Sequence, residues 1–168
     1  MKKSVILFTN IALVCICICS CNEHRKIKSM MTDFLKTEIV IPKDLECICS
    51  RTICPIALDS LKSAKFIIYY DSLDCSSCRI GRLSENFPLY AMADTSSFSV
   101  LTIFSPCPDE LEEVRLKLMK ANYSFPVFID VNGSFMDNNG SIPADLRFHS
   151  FLIDSYNYPV FVGNPLMN

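Results

Sequence analysis

Two cysteines stand three residues apart in the segment Asp74-Cys75-Ser76-Ser77-Cys78-Arg79. Thiols at this spacing are suited to making, breaking and passing on a disulfide: one thiolate attacks a disulfide sulfur, and a second thiol resolves the mixed disulfide that results. If the motif opens a helix, its first sulfur lies where unpaired N–H groups and the helix dipole favour the thiolate. Cys75 is then the attacking sulfur. Cys78, one turn along the same face and shielded by that turn, is the resolving one, and Ser76 faces solvent. The flanking charges oppose each other, Asp74 disfavouring the thiolate and Arg79 favouring it. Two other uses of the pair stay open, a static structural disulfide and half of a metal site. Zinc would have to draw on Cys47, Cys49 and Cys54 as well, and Cys-x-Cys beside Cys-x-x-x-x-Cys is not a familiar zinc spacing. Neither a metal ligand set nor a cofactor is assigned.

Cys47, Cys49 and Cys54 read more simply as one disulfide plus one buried thiol. Cys107, in Ser105-Pro106-Cys107, follows an apolar run that suits a strand parallel to the one before the motif. It either approaches Cys75 along a shared sheet edge or is a loop thiol, free or paired with Cys47, Cys49 or Cys54. These six of the chain's ten cysteines, those beyond Cys21, allow 15 full pairings, and spacing alone does not choose among them. His149 either donates to a thiolate near the motif or is a structural residue beside a strand.

The elements that must position these groups follow from periodicity. Residues 65–70, Lys-Phe-Ile-Ile-Tyr-Tyr, form a continuous apolar run fit for a strand covered on both faces, and they lead directly into the motif. Ile80, Leu83, Phe87 and Tyr90 follow at helical spacing, with Pro88 expected to kink or shorten the helix. Residues 99–104 make a second apolar strand. Asp109 and Glu112 suggest a capping box for a helix carrying Leu111, Val114, Leu118 and Ala121, with Lys117 and Lys120 near its end. Residues 126–130 make a third strand, and the turn residues Asn132-Gly133 and Asn138-Asn139-Gly140 come after it. Residues 150–153 and 160–162 read as a β-hairpin around Asp154-Ser155-Tyr156-Asn157. Towards the N-terminus, Ile27, Met30, Met31, Phe34 and Leu35 mark a helix with one buried face, and residues 38–42 read as a short strand stopped by Pro42. Phe98, Phe104, Phe128 and Phe151 are core candidates. Alternating strands and helices followed by a hairpin imply an α/β fold with a mixed sheet.

The chain has 168 residues, half of them hydrophobic and a fifth charged, with four glycines. That excludes a disordered or collagen-like chain and leaves one domain with a real core. A net charge of −2 leaves no electrostatic footprint for nucleic acid.

Lys2 and Lys3 followed by the apolar residues 4–18 have the form of a bacterial export signal. The run ends in Ile18-Cys19-Ser20-Cys21, which resembles the lipobox of bacterial lipoproteins; that resemblance implies cleavage after residue 20 and a lipid on Cys21. An uncleaved membrane helix is the alternative, although the apolar run is shorter than the ~20 residues that span comfortably. Either way the domain is expected outside the cytoplasm, where disulfides persist; the lipobox resemblance implies that it is lipid-anchored to the cell envelope. His24, Arg25, Lys26 and Lys28 beside the anchor either touch anionic headgroups or form a solvated helix end.

The order of strand, Cys75-Ser76-Ser77-Cys78, helix, strand, helix, Phe125-Pro126-Val127-Phe128-Ile129-Asp130, Phe151-Leu152-Ile153-Asp154 and a hairpin ending at Gly163-Asn164-Pro165 resembles the thioredoxin-like fold. More narrowly it is similar to exported thioredoxin-like lipoproteins of the kind that act as thiol-disulfide oxidoreductases in cytochrome maturation. The resemblance implies a three-layer sandwich, divided as a signal peptide over 1–20, an anchored helix and linker over 21–37 and a thioredoxin-like domain over 38–168; the closing helix usual in the family is expected to be absent here. It implies disulfide exchange with the thiols or disulfides of exported proteins through Cys75 and Cys78. The chain departs from the family where a cis-proline is usual: Phe148 or His149 stands before residues 150–153. The alternative function is a binding or scaffolding lipoprotein that keeps the fold and a structural disulfide.

Overall fold

A computed structural model describes residues 25–55 and 58–166. Helix α1 covers 25–34. The strands are β1 Glu46–Cys49, β2 Thr52–Ile53, β3 Ala64–Tyr70, β4 Phe98–Phe104, β5 Val127–Ile129, β6 Ser150–Ile153 and β7 Pro159–Val162. Between them lie α2 Ser76–Gly81, α3 Phe87–Thr95, α4 Leu111–Ala121 and α5 Ser134–Asn138. One sheet contains all seven strands in the order β2-β1-β5-β4-β3-β6-β7. The three inner strands β3, β4 and β5 run parallel, while β1 and β6 join antiparallel on either side. The carboxyl ends of β3 and β4 therefore share one edge, with Tyr70 opposite Phe104 in the register.

β3 is the apolar run expected before the motif, and its burial explains its composition. Phe66 and Ile68 point to one face and Ile67 and Tyr69 to the other, all four buried. On the first face β3 and β4 pack under Leu89 and Ala93 of α3, while Ile80 of α2 and Val114 and Leu118 of α4 join Phe104 and Ile129. The other face is closed by Phe34 of α1, by Ile39 and by Phe135 of α5. Phe34 meets Phe151 edge to face at 5.1 Å. Helices thus cover both faces of a mixed sheet, the three-layer α/β sandwich expected from the sequence. After β7 the described chain continues as loop to residue 166.

Several local expectations need correction. Residues 38–42 are not a strand. Ile39 N–H donates to the Asn157 carbonyl at 2.9 Å, and the Asn139 side chain accepts from Val40 N–H and donates to its carbonyl, each at 2.8 Å. Those bonds satisfy the backbone without a ladder. The antiparallel neighbour of β5 is instead the β1–β2 hairpin, absent from the expected elements. Asp109 does not cap α4: Glu110 is its N-cap without a side-chain bond, and Glu112 pairs with Arg115. α5 occupies the segment between the two expected turns. Phe104, Phe128 and Phe151 are fully buried, whereas Phe98 is half-buried at the rim. Pro88 acts as expected, sitting in the first turn of α3 after the chain breaks through a 3-10 turn at Leu83–Asn86.

Candidate functional site

β3 delivers the chain to Asp71 at the carboxyl edge of the sheet. Asp71 Oδ1 accepts from the N–H groups of Leu73 and Asp74 at 2.8 and 3.1 Å. This side-chain turn folds the loop back before the motif begins. Cys75 is the N-cap of α2, with extended backbone at φ −67° and ψ 91°. Its Sγ accepts from Cys78 N–H at 3.3 Å, and its carbonyl accepts from Arg79 N–H at 3.0 Å. Cys75 and Cys78 are joined by a disulfide with their Cα atoms 5.3 Å apart.

Three contacts hold α2 in place. Ser76 and Ile80, one turn apart on the same helix face, are both buried. The Tyr123 hydroxyl donates to the Ile80 carbonyl at 2.7 Å and takes up an acceptor at the helix end. Lys117 of α4 reaches both Ser77 and Glu113. This geometry corrects two expectations about the motif. Ser76 faces inward because it shares the face of Ile80, and Cys78 is exposed like Cys75 rather than shielded by the turn. What distinguishes the sulfurs is the N–H that Cys78 directs at Cys75 Sγ, a donor that favours negative charge there.

The opposing charges of Asp74 and Arg79 meet each other. The guanidinium donates to Asp74 Oδ1 through Nε at 3.1 Å and through Nη2 at 2.9 Å, with the carboxylate largely buried. The same guanidinium lies over the Tyr70 ring at 5.6 Å from its centre. Burial pushes the Tyr70 hydroxyl above its usual range. Beyond the motif Leu73 is 86 % exposed, an apolar side chain held out in solvent beside the disulfide.

A cavity of about 200 Å³ opens next to this loop, lined by Tyr70, Asp74, Arg79, Arg147, His149 and Ser150 among others. His149 stands immediately before β6 and is 2 % exposed. Its Nε2 lies 3.0 Å from the Pro143 carbonyl, which can only accept, so Nε2 carries the proton. Nδ1 has no hydrogen-bond partner and lies 3.9 Å from Asp71 Oδ2. His149 is therefore a buried residue bonded to backbone, and its proton does not go to a thiolate. No cis peptide bond occurs among the described residues.

The other sulfurs are placed as follows. Cys107 Sγ lies 3.9 Å from the Ser72 carbonyl, so Cys107 is on the motif's edge of the sheet, beside the loop that precedes Cys75. Cys47 and Cys54 face each other with their sulfurs 3.2 Å apart, and Cys49 points to the Ser124 carbonyl at 3.5 Å. None of these three contacts the motif pair. Cys21 lies outside the described residues. Among the described residues no group of three or more His, Cys, Asp or Glu side chains is arranged to hold a metal ion.

No family model matches the chain, and no curated protein does. Among solved structures the chain is similar to StoA from Bacillus subtilis, at 16 % identity over 73 % of this chain and 91 % of that one, with a TM-score of 0.46. It is similar to a secreted Mycobacterium tuberculosis disulfide oxidoreductase homologous to E. coli DsbE, at 11 % identity over 73 % and 84 %, with a TM-score of 0.44. A candidate protein disulfide isomerase from Bacteroides thetaiotaomicron matches at 19 % identity over 78 % and 79 %, with a TM-score of 0.49. Of these three, the Mycobacterium tuberculosis protein carries the name of a disulfide oxidoreductase and the Bacteroides thetaiotaomicron protein that of a candidate protein disulfide isomerase.

Proposed function

We propose that the protein exchanges disulfides with thiols or disulfides of exported proteins, from outside the cytoplasm and tethered through a lipid on Cys21. The observation that carries the reading is the Cys75–Cys78 disulfide on an exposed turn at the carboxyl edge of the parallel strands. In the reduced pair the Cys75 thiolate attacks a partner disulfide, forming a mixed disulfide and releasing one partner thiolate; the Cys78 thiolate then attacks Cys75 Sγ, releasing the second partner thiolate and closing the Cys75–Cys78 bond, and the same steps in reverse oxidise a partner dithiol. The N–H of Cys78 aimed at Cys75 Sγ supports Cys75 as the sulfur that carries the mixed disulfide and Cys78 as the resolver. Leu73 supplies an apolar contact for a partner segment lying across the loop.

Trapping tests the assignment. Cys78→Ala leaves the attacking sulfur without its resolver, so mixed disulfides with partner proteins accumulate on non-reducing gels, at least about tenfold above those of Cys75→Ala. The comparison is repeated in a Cys107→Ser background, because Cys107 lies on the same edge. Equal trapping by both variants overturns the division of roles. No trapping by either, with a bond that resists strong reductant, selects the structural disulfide of a binding or scaffolding protein. The departure favouring that second reading is the buried His149 where a cis-proline is usual.

The tether has its own test. Cys21→Ala leaves a full-length precursor and abolishes labelling by a fatty-acid analogue, and persistent labelling removes the anchor from the proposal. Among the described residues no helix is long and apolar enough to cross a membrane.

A further inference from the structure

We propose that Cys47 and Cys54 form a second, structural disulfide that staples the β1–β2 hairpin and is separate from the motif pair.

The register places them for it. Ile48 pairs with Ile53 and Cys49 with Thr52, so the next rung of the antiparallel ladder sets Cys47 opposite Cys54. Cys54 N–H donates to the Cys47 carbonyl at 2.9 Å, which makes this a hydrogen-bonded rung. Such rungs hold Cα atoms about 5.5 Å apart, inside the range of about 4.4–6.8 Å that a disulfide spans. The sulfurs already lie 3.2 Å apart, and closure to about 2.05 Å needs a shift of about 1.2 Å. Cys49, the rival partner, sits two residues along the same strand with its sulfur turned to the Ser124 carbonyl.

The hairpin is an element that a covalent closure serves. β2 has only two residues, both exposed, and it forms the outer edge of the sheet. Its turn, Ser50-Arg51, holds two non-glycine residues at φ 49° and 71°, a left-handed pair usually built from Asn and Gly. A short edge strand on a strained turn frays readily unless its ends are tied.

The chemistry is a double exchange with a small disulfide, RSSR, such as oxidised glutathione. Burial, and then contact with Cys54, pushes the Cys47 thiol well above its usual range. The first attack therefore comes from Cys54, which is less buried. The Cys54 thiolate forms Cys54–S–S–R and releases RS⁻. Cys47 then gives up its proton and attacks Cys54 Sγ, releasing a second RS⁻. Two protein thiols are oxidised, one RSSR is reduced to two RSH, and one sulfur–sulfur bond is retained.

The experiment uses the full-length chain, treated with oxidised glutathione without denaturant, alkylated with iodoacetamide and digested with trypsin without reduction. Cleavage after Lys43, Arg51 and Lys62 puts Cys47 and Cys49 on one peptide and Cys54 on another, while Cys75 and Cys78 share a third and Cys107 lies on a fourth. The expected result is a bond joining residues 44–51 to 52–62 in nearly all molecules, with Cys49 and Cys107 alkylated and the fragment spectrum placing the bond on Cys47. The same bond persists in Cys49→Ser. Alkylation of both Cys47 and Cys54 after oxidation overturns the proposal, as does a bond from Cys54 to Cys49 or to Cys107. Because the wild-type chain alone gives the assignment, a variant that fails to fold leaves the conclusion unaffected.

Discussion

The molecule carries two pairs of neighbouring cysteines whose surroundings differ in almost every respect. Cys75 and Cys78 are three residues apart on an exposed turn, and one sulfur receives an N–H from the other residue. Cys47 and Cys54 are seven residues apart across a hairpin, with Cys47 only 3 % exposed and packed against the core. Both sulfurs of the first pair are exposed, whereas the second pair joins a buried cysteine to a partly buried one. Access and local electrostatics, rather than the sulfur itself, divide a working bond from a fixed one.

The largest effect comes from removing the platform on which both pairs stand. Ile67 is fully buried on β3, paired with Leu101 of β4 and Phe151 of β6. Ile67→Asp places an unpartnered carboxylate there and costs about 4 kcal/mol or more, so the cooperative melt is lost and every reduced thiol alkylates at the same rate. A soluble variant that still melts cooperatively would contradict the central position of β3.

Next in size is the difference in reduction potential. The motif pair is expected between about −120 and −270 mV, and the hairpin pair below about −300 mV. Titration with a dithiol buffer, read peptide by peptide, gives both midpoints. Coincident midpoints break the comparison, and a motif midpoint below that of the hairpin reverses it.

The smallest effect concerns the charges that meet beside Cys75. Asp74→Asn leaves the Arg79 guanidinium without its carboxylate, and the Cys75 thiol titrates at lower pH than in the wild type. Arg79→Ala leaves the carboxylate without its cation, and titration moves higher. Thiolate absorbance against pH, measured on the reduced protein in a Cys78→Ala background, reads both shifts. Movement in the same direction would show that the ion pair acts through the conformation of the loop instead of through its field.

The parts legible in the sequence are those where one local pattern carried all the physics. The runs that became β3 and β4 are apolar throughout because both faces are covered, and Cys-x-x-Cys directly after such a run is a turn at a sheet edge. The hairpin of β6 and β7 was legible from Asp154, whose side chain takes the N–H groups of Tyr156 and Tyr158. β1 was not, because Glu46-Cys47-Ile48-Cys49 buries one side chain on each face and shows no alternation. Its turn also lacks the Asn or Gly that usually marks a left-handed pair. The false strand at 38–42 has the apolar content of a strand, but its backbone bonds come from Asn139 and Asn157, about a hundred residues away. At the motif, residue types revealed both charges but not that they neutralise each other, and the inward face of Ser76 appears only once α2 is docked.

The bonds that replace this false strand make a mechanical coupling. Asn139 clasps Val40 from both sides and also donates to the Phe135 carbonyl at 2.6 Å, while Ile39 is tied to Asn157 and Phe34 rests on Phe151. Tension applied to the chain before residue 34 meets these clasps first, and they lead into α5 and the β6–β7 hairpin. The load path enters the layer opposite α2, so a pull at the N-terminal end strains the aromatic face of the sheet before it reaches the turn that holds Cys75 and Cys78.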